Sequence, residues 1–317
     1  MLRQARLVVF ALAALCMAIG AAGAGGQNQA DRFAGVELTI VPVAGRVHMV
    51  SRPGGGGNVG VFSVPDGVLL VDSLVEPLAG RLVDAVRQVS DGDIRFLINT
   101  HVHPDHIGGN EPLARRDVLI FAHDNLRVRA LERLRTPRRG GRFSPQPAAG
   151  ARPVVTFDSA VSFHFNGEDV RAFLAPAAHT DGDAFVHFPD SDVLHLGDVF
   201  RTTSYPIVDV YNGGTVAGTI KALEAAVAMA GPDTRVIPGH GLEVVGRDAL
   251  VGFLDMTVDI RDRVQALIAE GRTLEEVMPG RPTAAYDAQW GQEATWTAND
   301  FVPIVFYELG GGSLFVR

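Results

Sequence analysis

Residues 101–106 read His-Val-His-Pro-Asp-His, which places three imidazoles and one carboxylate within six residues. They directly follow IRFLINT at residues 94–100, a run with the composition of a buried strand. Side chains two residues apart in an extended segment share a face, so His101 and His103 can bind one cation. The aspartate and the third histidine lie beyond the turn and can bind a second cation. The spacing therefore predicts a site for two metal ions at the end of a strand.

The chain before this segment has the pattern of a strand meander. Four short β-type runs are separated by Gly, Pro and Asn turns. They cover residues 36–43, 46–51, 58–64 and 67–73. Pro77 then precedes apolar residues at helical spacing, and the strand at 94–99 follows them. The pattern has changed from a meander to a β-α-β unit.

The second half of the chain echoes the first. After a strand at 118–123 and a helical pattern at 124–135, a Pro-, Gly- and Arg-rich loop leads to a new series of strand runs from Val154. Two further helical patterns follow, one around Leu223 and one from Leu250 to Leu267. Two such halves predict an α/β fold in which two sheets pack face to face with helices outside. This is a four-layer αββα sandwich.

The amino terminus predicts export. Arg3 and Arg6 precede about sixteen apolar or small residues, and residues 22–24 (Ala-Gly-Ala) form a cleavage site. The apolar run is shorter than the ~20 residues of a membrane-spanning helix. We expect a signal peptide at 1–24, a linker at 25–35 and a single domain at 36–317. An uncleaved membrane anchor is the alternative interpretation of the apolar run.

Cysteine usage and charge narrow the function classes. Cys16 is the only cysteine and lies in the predicted signal peptide, so a mature chain would have neither disulfides nor thiolate ligands. Any metal must then be held by His and carboxylates. The formal net charge is −8, which disfavours nucleic acid and anionic lipid as partners. We expect a small-molecule substrate, no nucleic acid, no stable membrane insertion after cleavage, and a periplasmic or secreted location.

Three later motifs each contain one further histidine or aspartate that could bind a metal ion. PAAHTDGD supplies His179, HLGDVF supplies Asp198 and PGHG supplies His240, each after a predicted strand. With the segment at 101–106 they resemble the metallo-β-lactamase superfamily, whose ligands run H-x-H-x-D-H, then His, then Asp or Cys, then His. The resemblance extends from about residue 57 to residue 240.

The resemblance implies a role for each of these positions. One zinc ion would be bound by His101, His103 and His179, and a second by Asp105, His106 and His240, while Asp198 would bridge both. Such a site leaves coordination positions open, and two cations sharing a water can lower its pKa from ~16 to near 7. The implied catalytic residue is Asp105, which would orient the water. Zn²⁺, two ions per chain, is the expected cofactor, with iron or manganese as alternatives.

The expected function is hydrolysis of the acyl bond of a small β-lactam-like, lactone or ester substrate. Asp198 stands where the commonest zinc β-lactamases have Cys, which argues against a typical carbapenemase. The acidic chain disfavours the nuclease branch, and predicted export disfavours a glutathione thioester. Two alternatives stay open: a thioesterase of the hydroxyacylglutathione hydrolase type, and a non-catalytic metal-dependent binding protein.

Other residues have weaker signals. Asp72 and Asp183 are expected either to accept a hydrogen bond from a ligand histidine or to be turn carboxylates. Thr100 and Asn110 are expected at a turn and a helix end. Of the remaining histidines, His123 could face the cleft. The others are expected to be structural: His48, His164, His187 and His195. The loop Thr136–Pro153 is interpreted as either a substrate flap or a solvated linker; it contains Arg138, Arg139, Arg142 and Arg152 around Phe143.

Overall fold

The computed structural model describes residues 32–136, 142–165 and 167–310. Backbone contacts divide the chain into residues 1–37 and 38–317. In the first unit, residues 32–37 include a turn in which the Val36 N–H donates to the Phe33 carbonyl (3.1 Å). The predicted signal peptide and most of the predicted linker lie outside the described residues. All elements below belong to the second unit.

The first large sheet combines a meander with parallel strands. Its strands are β1 (Thr39–Ala44), β2 (Val47–Ser51), β3 (Val59–Val64), β4 (Gly67–Val71), β5 (Ile94–Ile98), β6 (Leu119–His123) and β9 (Val155–Phe157), in the order β1-β2-β3-β4-β5-β6-β9. Strands β1 to β4 pair antiparallel, whereas β4, β5, β6 and β9 run parallel. The change from meander to β-α-β unit that the sequence predicts therefore occurs after β4.

The second large sheet is mostly antiparallel. Its strands are β10 (Ala160–Phe165), β11 (Glu168–Leu174), β12 (Ala184–Phe188), β13 (Val193–His195), β14 (Arg235–Ile237) and β15 (Val245–Gly246), in that order. Only β13 and β14 among them pair in parallel. A separate two-stranded hairpin joins β7 (Arg135–Thr136) to β8 (Arg142–Phe143).

The two large sheets share an apolar core between them. Phe62 of β3 and Phe188 of β12 are both fully buried, and their ring centroids lie 5.5 Å apart. Because alternate side chains of a strand point to the same face, each sheet contributes every second residue to this layer. Other members of the core include Val47, Leu69, Ile98, Val170, Val186 and Ile237.

Helices cover the outer faces. They are α1 (Ala79–Val86), α2 (Pro104–Ile107), α3 (Asn110–Ala114), α4 (Asp124–Arg129), α5 (Val216–Met229), α6 (Arg247–Ala269), α7 (Leu274–Val277), α8 (Asp287–Trp290) and α9 (Ala298–Glu308). Leu223 of α5 and Phe253 of α6 are buried in a second core with Leu194 of β13. On the first sheet, α3 contacts β6. The predicted four-layer αββα sandwich is confirmed. Among the described helices, none has both the length and the apolar composition needed to cross a membrane.

The structure differs from the sequence predictions in two places. The helix predicted at 124–135 ends at Arg129, because the chain turns to bury Leu134 in a small cluster with Val102 and Leu126. The second difference is the helical segment beyond residue 270, for which the sequence analysis made no prediction. Two of its helices, α7 and α8, have four residues each, so their apolar spacing is weak, and α9 packs on α5 and α6.

Candidate metal centre

Loops from both sheets meet at one site. His101 and His103 follow β5 of the first sheet, while His179, Asp198 and His240 follow β11, β13 and β14 of the second. The carboxyl ends of parallel strands lie at the same edge of a sheet, which brings the loops after β13 and β14 together. The motifs that the sequence places after strands therefore converge.

The seven predicted ligands lie in overlapping groups that could hold metal ions. One group has His101, His103 and His179, with one donor atom of each within 4.8 Å of the others. Asp105, His106 and His240 form another group, and a third joins His101, His106 and Asp198. All are buried except Asp105, whose side chain is 34% exposed. The structure thus brings together every residue of the predicted ligand set.

Asp198 lies between the two halves of the site. Its Oδ1 is 3.2 Å from His106 Nε2, and its Oδ2 is 3.2 Å from His240 Nε2 and 3.8 Å from His179 Nε2. The close approach requires glycine at position 239, because a Cβ there would lie 2.2 Å from Asp198 Oδ1. The carboxylate therefore contacts histidines of both predicted ligand groups.

Hydrogen bonds outside the cluster fix which nitrogen faces inward in the neutral rings of three of the histidines. His106 Nδ1 donates to Asp72 Oδ2 (2.7 Å), so its Nε2 has the lone pair. His179 Nδ1 donates to the Ile207 carbonyl (2.5 Å), which leaves its Nε2 as an acceptor. His103 has the opposite tautomer, since its Nε2 donates to Asp209 Oδ2 (2.7 Å). Each ring is held with one unprotonated nitrogen toward the cluster.

The nitrogens that these rings point into the cluster have no N–H group to donate to one another. His103 Nδ1 and His179 Nε2 are 2.9 Å apart, and in these tautomers both are acceptors. His101 Nε2 and Asp198 Oδ1 are buried without a hydrogen-bond partner. Facing lone pairs at such distances repel unless a cation lies between them. This donor set of imidazole nitrogens and carboxylate oxygens fits divalent transition metals, zinc included.

The pKa directions show how the charges of the site act on one another, and at His106 they report a negative potential. Burial lowers the pKa of His106, but Asp198, Asp72 and Asp105 outweigh it and raise that pKa well above its usual value. Burial favours the neutral carboxyl of Asp198, yet the neighbouring His240 and His106 hold its pKa well below its usual range. At His179, burial dominates and lowers the pKa to about 3. A potential that stabilises a proton on His106 also stabilises a metal cation.

Asp72 supports the first-sheet side of the site. Besides the His106 ring, its carboxylate accepts hydrogen bonds from the Thr100 N–H (2.7 Å) and the Thr100 hydroxyl (2.7 Å). That hydroxyl is also 3.0 Å from His101 Nδ1. Asp72 is fully buried and has a left-handed backbone (φ 68°), which is uncommon for residues other than glycine. Of the two interpretations of Asp72, the contact with a predicted ligand histidine is the one observed.

Asp209 is a supporting residue that the sequence analysis missed. Its Oδ2 binds His103 Nε2, and its Oδ1 accepts the backbone N–H groups of Tyr211 (3.1 Å) and Asn212 (3.2 Å). The carboxylate is buried, and the hydrogen bond from His103 lowers its pKa despite burial. Asp209 lies 106 positions from His103 in the chain, so only tertiary structure brings the pair together.

Asp183 is the turn carboxylate that was one of its two interpretations, and His123 does not face the cleft. Asp183 accepts from the backbone N–H of His179 (2.7 Å) and from Thr180, not from a ligand ring. His123 caps the start of α4 by accepting from the Asn125 N–H (3.1 Å), and its Nε2 donates to the Asp158 carbonyl. His123 therefore lies outside the donor groups.

The remaining candidates lie outside the donor groups in the described part of the chain. Asn110 is buried in a polar network with Ser73 and Asn99. His164 is exposed beside Asp169 (2.6 Å), whereas His195 is buried. His48 and His187 lie in strands, as predicted. In the proposed flap, Arg138 and Arg139 lie outside the described residues, while Phe143 of β8 is 57% exposed with Arg133 over its ring.

Comparison with known proteins agrees with this geometry. The family described as the metallo-beta-lactamase superfamily matches residues 52–240, more than half of the chain. The chain belongs to this superfamily. Members of the superfamily are generally hydrolases, and they commonly bind zinc.

Among curated relatives, a linear primary-alkylsulfatase of Pseudomonas sp. (strain ATCC 19151) is 26% identical over an alignment that covers 69% of this chain and 48% of the relative. The chain thus spans about half the length of that enzyme. A metallo-beta-lactamase type 2 of Bacillus cereus is 25% identical over 62% of this chain and 71% of its own length.

Among solved structures, a double mutant of the sec-alkyl sulfatase PisA1 has a TM-score of 0.69 at 17% identity and covers 86% of this chain and 50% of its own. A metallo-beta-lactamase from Pontibacter korlensis has a TM-score of 0.57, also at 17% identity, over 70% of this chain and 100% of its own. These structures establish the shared fold alone.

Proposed function

We propose that this protein is a binuclear zinc hydrolase that cleaves the acyl bond of a small lactam, lactone or ester. The observation that carries the proposal is the pair of three-residue donor groups on either side of Asp198. In the proposed assignment, His101, His103 and His179 hold one ion. Asp105, His106 and His240 hold the other, with Asp198 shared.

Bound zinc would supply Lewis acidity and lower the pKa of water at the site. Asp105 is the member of the seven with the most exposed side chain, and its Oδ2 is 3.3 Å from His240 Nε2. Burial favours its neutral form, but His106 and His240 keep its pKa well below the usual value, so it stays ionised. An ionised carboxylate facing the cleft accepts a hydrogen bond from an attacking water. In this role Asp105 orients the water and takes up its proton.

The supporting carboxylates keep the histidines ready to bind. Asp72 and Asp209 each accept the ring proton of a histidine, which aims the opposite nitrogen into the cluster. These bonds preorganise the site before substrate arrives. The proposal includes export to the periplasm or the medium, as expected from residues 1–24, and a small-molecule substrate.

Sulfate esters are a second candidate substrate class. They are favoured by the similarity to a linear primary-alkylsulfatase over 69% of this chain. Both candidates require attack by water at a centre from which a leaving group departs as an anion, so the same donor cluster serves either one. Only turnover of defined substrates separates the two.

Purified protein should contain about two equivalents of zinc and lose hydrolytic activity when a chelator removes them. Elemental analysis beside a panel of a cephalosporin, a γ-lactone, a thioester and a linear primary alkyl sulfate measures both quantities. Protein with less than half an equivalent of metal and chelator-resistant activity would contradict the proposal. A metal-loaded protein that turns over none of the panel would favour the non-catalytic binding alternative.

Leaving-group chemistry predicts the order of the acyl substrates. A lactam must expel nitrogen, a poor anion, whereas a lactone or thioester expels oxygen or sulfur, which leave readily. Because Asp198 contacts both halves of the site, its negative charge weakens the stabilisation of a departing nitrogen anion. We expect kcat/KM for a chromogenic cephalosporin, whose nitrogen charge delocalises, to exceed that for a penicillin. Lactones or thioesters should be cleaved at least as fast. Efficient penicillin and carbapenem turnover without lactone or thioester activity would reverse this order.

A further inference from the structure

Arg201 is a buried cation beside the candidate metal centre. Its side chain is 1% exposed, and its Nη1 lies 3.5 Å from Asp198 Oδ2. On the other side, its Nη2 is 3.3 Å from Glu293 Oε2 and 3.1 Å from the Thr203 hydroxyl. The guanidinium therefore lies between the carboxylate shared by both donor groups and a carboxylate from the C-terminal part of the chain.

The backbone of this segment also joins two of the ligand loops. Arg201 forms an isolated parallel bridge with His240, and the Thr202 N–H donates to the His240 carbonyl (3.1 Å). Asp198 lies three residues before Arg201. A displacement of the Arg201 side chain would thus act on a segment that contains Asp198 and is hydrogen-bonded to His240.

Glu293 belongs to a C-terminal segment that lies outside the family match at 52–240. This segment is hydrogen-bonded to the loop that follows Arg201. Trp296 is buried, and its Nε1 donates to the Pro206 carbonyl (3.0 Å) in the loop after Arg201. The Tyr205 hydroxyl donates to Asp287 Oδ1 (2.6 Å). The C-terminal segment is therefore fastened to residues 201–206 on both sides of Glu293.

Charge explains why both carboxylates are needed. A guanidinium removed from water is costly unless carboxylates and hydrogen bonds compensate it. With Glu293 in place, the Arg201–Glu293 pair is neutral, and Asp198 keeps its own charge for the cluster. Without Glu293, the buried guanidinium would attract Asp198 more strongly and draw its Oδ2 away from His240. Since Arg201 is almost fully buried, it acts on Asp198 and does not contact substrate.

We propose that Glu293 and Arg201 are positioning residues, through which the C-terminal segment sets the orientation and charge of Asp198 in the metal centre. The inference rests on the proposed metal ligation by Asp198. It assigns a function to residues 287–297 that the family match does not cover.

A double-mutant cycle tests the proposal with Arg201→Met, Glu293→Gln and the combined variant. Zn²⁺ affinity is measured by competition with a chromogenic chelator, and Co²⁺ replaces zinc to give a visible spectrum of the ligand field. Glu293→Gln should weaken binding of one Zn²⁺ by about tenfold, the low end of what loss of a supporting partner costs, and shift the Co²⁺ spectrum. In the Arg201→Met background the same substitution should change neither quantity, because Glu293 acts through Arg201.

A control variant makes the result specific. Glu270→Gln makes the same chemical change in an exposed ion pair with Arg272, and it should leave metal affinity and spectrum unaltered. Additive effects of positions 201 and 293 would overturn the proposal. So would a KM increase confined to anionic substrates at unchanged metal affinity, which would assign Arg201 to substrate binding. If the wild-type protein binds no Zn²⁺, the proposed function itself fails.

Discussion

Replacing Asp198 by asparagine should lower kcat/KM by at least about 10³-fold and reduce the zinc content toward one ion per chain, because a neutral amide cannot neutralise two cations. In the structure the Asp198 carboxylate reaches His106 through one oxygen and His240 through the other, both at 3.2 Å. Asparagine has nearly the same shape, so the fold should stay intact while the charge is lost. Zinc per chain and kcat/KM on the best substrate of the panel measure the two effects.

Asp262→Asn is the matched control for this substitution. Asp262 is an exposed aspartate beside Arg261, far in sequence from the donor groups, and its loss removes the same charge. It should change zinc content and rate little. If both variants kept the zinc content and the rate of the wild type, the seven-ligand assignment would be contradicted. Loss of zinc in both variants would point to a general charge effect.

Much of the fold could be predicted from sequence, because its layers depend on local patterns. Runs such as GVLLV (Gly67–Val71) and IRFLI (Ile94–Ile98) are bounded by turn residues and match the observed strands within two residues. The helix α6 has apolar residues at helical spacing over its whole length. In contrast, α7 and α8 have four residues each, too few for a periodic signal.

The candidate site was predictable for a different reason. His101, His103, Asp105 and His106 are neighbours in sequence, and the later motifs keep the order known for the superfamily. The structure adds residues whose role depends on tertiary contacts alone. Asp209 approaches His103 across 106 positions, and Glu293 approaches Arg201 across 92. No local pattern marks either carboxylate, because each occurs in an ordinary turn sequence.

Asp72→Asn should lower zinc affinity by about 10- to 100-fold, as expected for the loss of a partner that orients a ligand. The Thr100 N–H requires an acceptor at the position of Oδ1, so the asparagine must place its oxygen there and its amide nitrogen at the position of Oδ2. That nitrogen is a donor facing His106 Nδ1, which donates to Asp72 in the wild-type protein. His106 must then accept through Nδ1 and carry its proton on Nε2, the atom that faces Asp198. The ligand nitrogen of His106 would be blocked.

A matched aspartate–histidine pair on the surface isolates this tautomer effect. Asp169 and His164 are 2.6 Å apart with both side chains exposed, so Asp169→Asn makes the same change where water can supply the missing hydrogen bonds. Asp169→Asn should leave zinc affinity unchanged and shift the free energy of unfolding by less than about 1 kcal/mol. Asp72→Asn should also lower the unfolding free energy by about 1–3 kcal/mol, the cost of a mismatched buried hydrogen bond. NMR of the imidazole nitrogens in the metal-free protein, at a pH above the raised pKa of His106, reports which nitrogen of the neutral ring holds the proton. Protonation at Nδ1 in the Asp72→Asn protein, with zinc affinity equal to that of the wild type, would show that Asp72 does not set the tautomer.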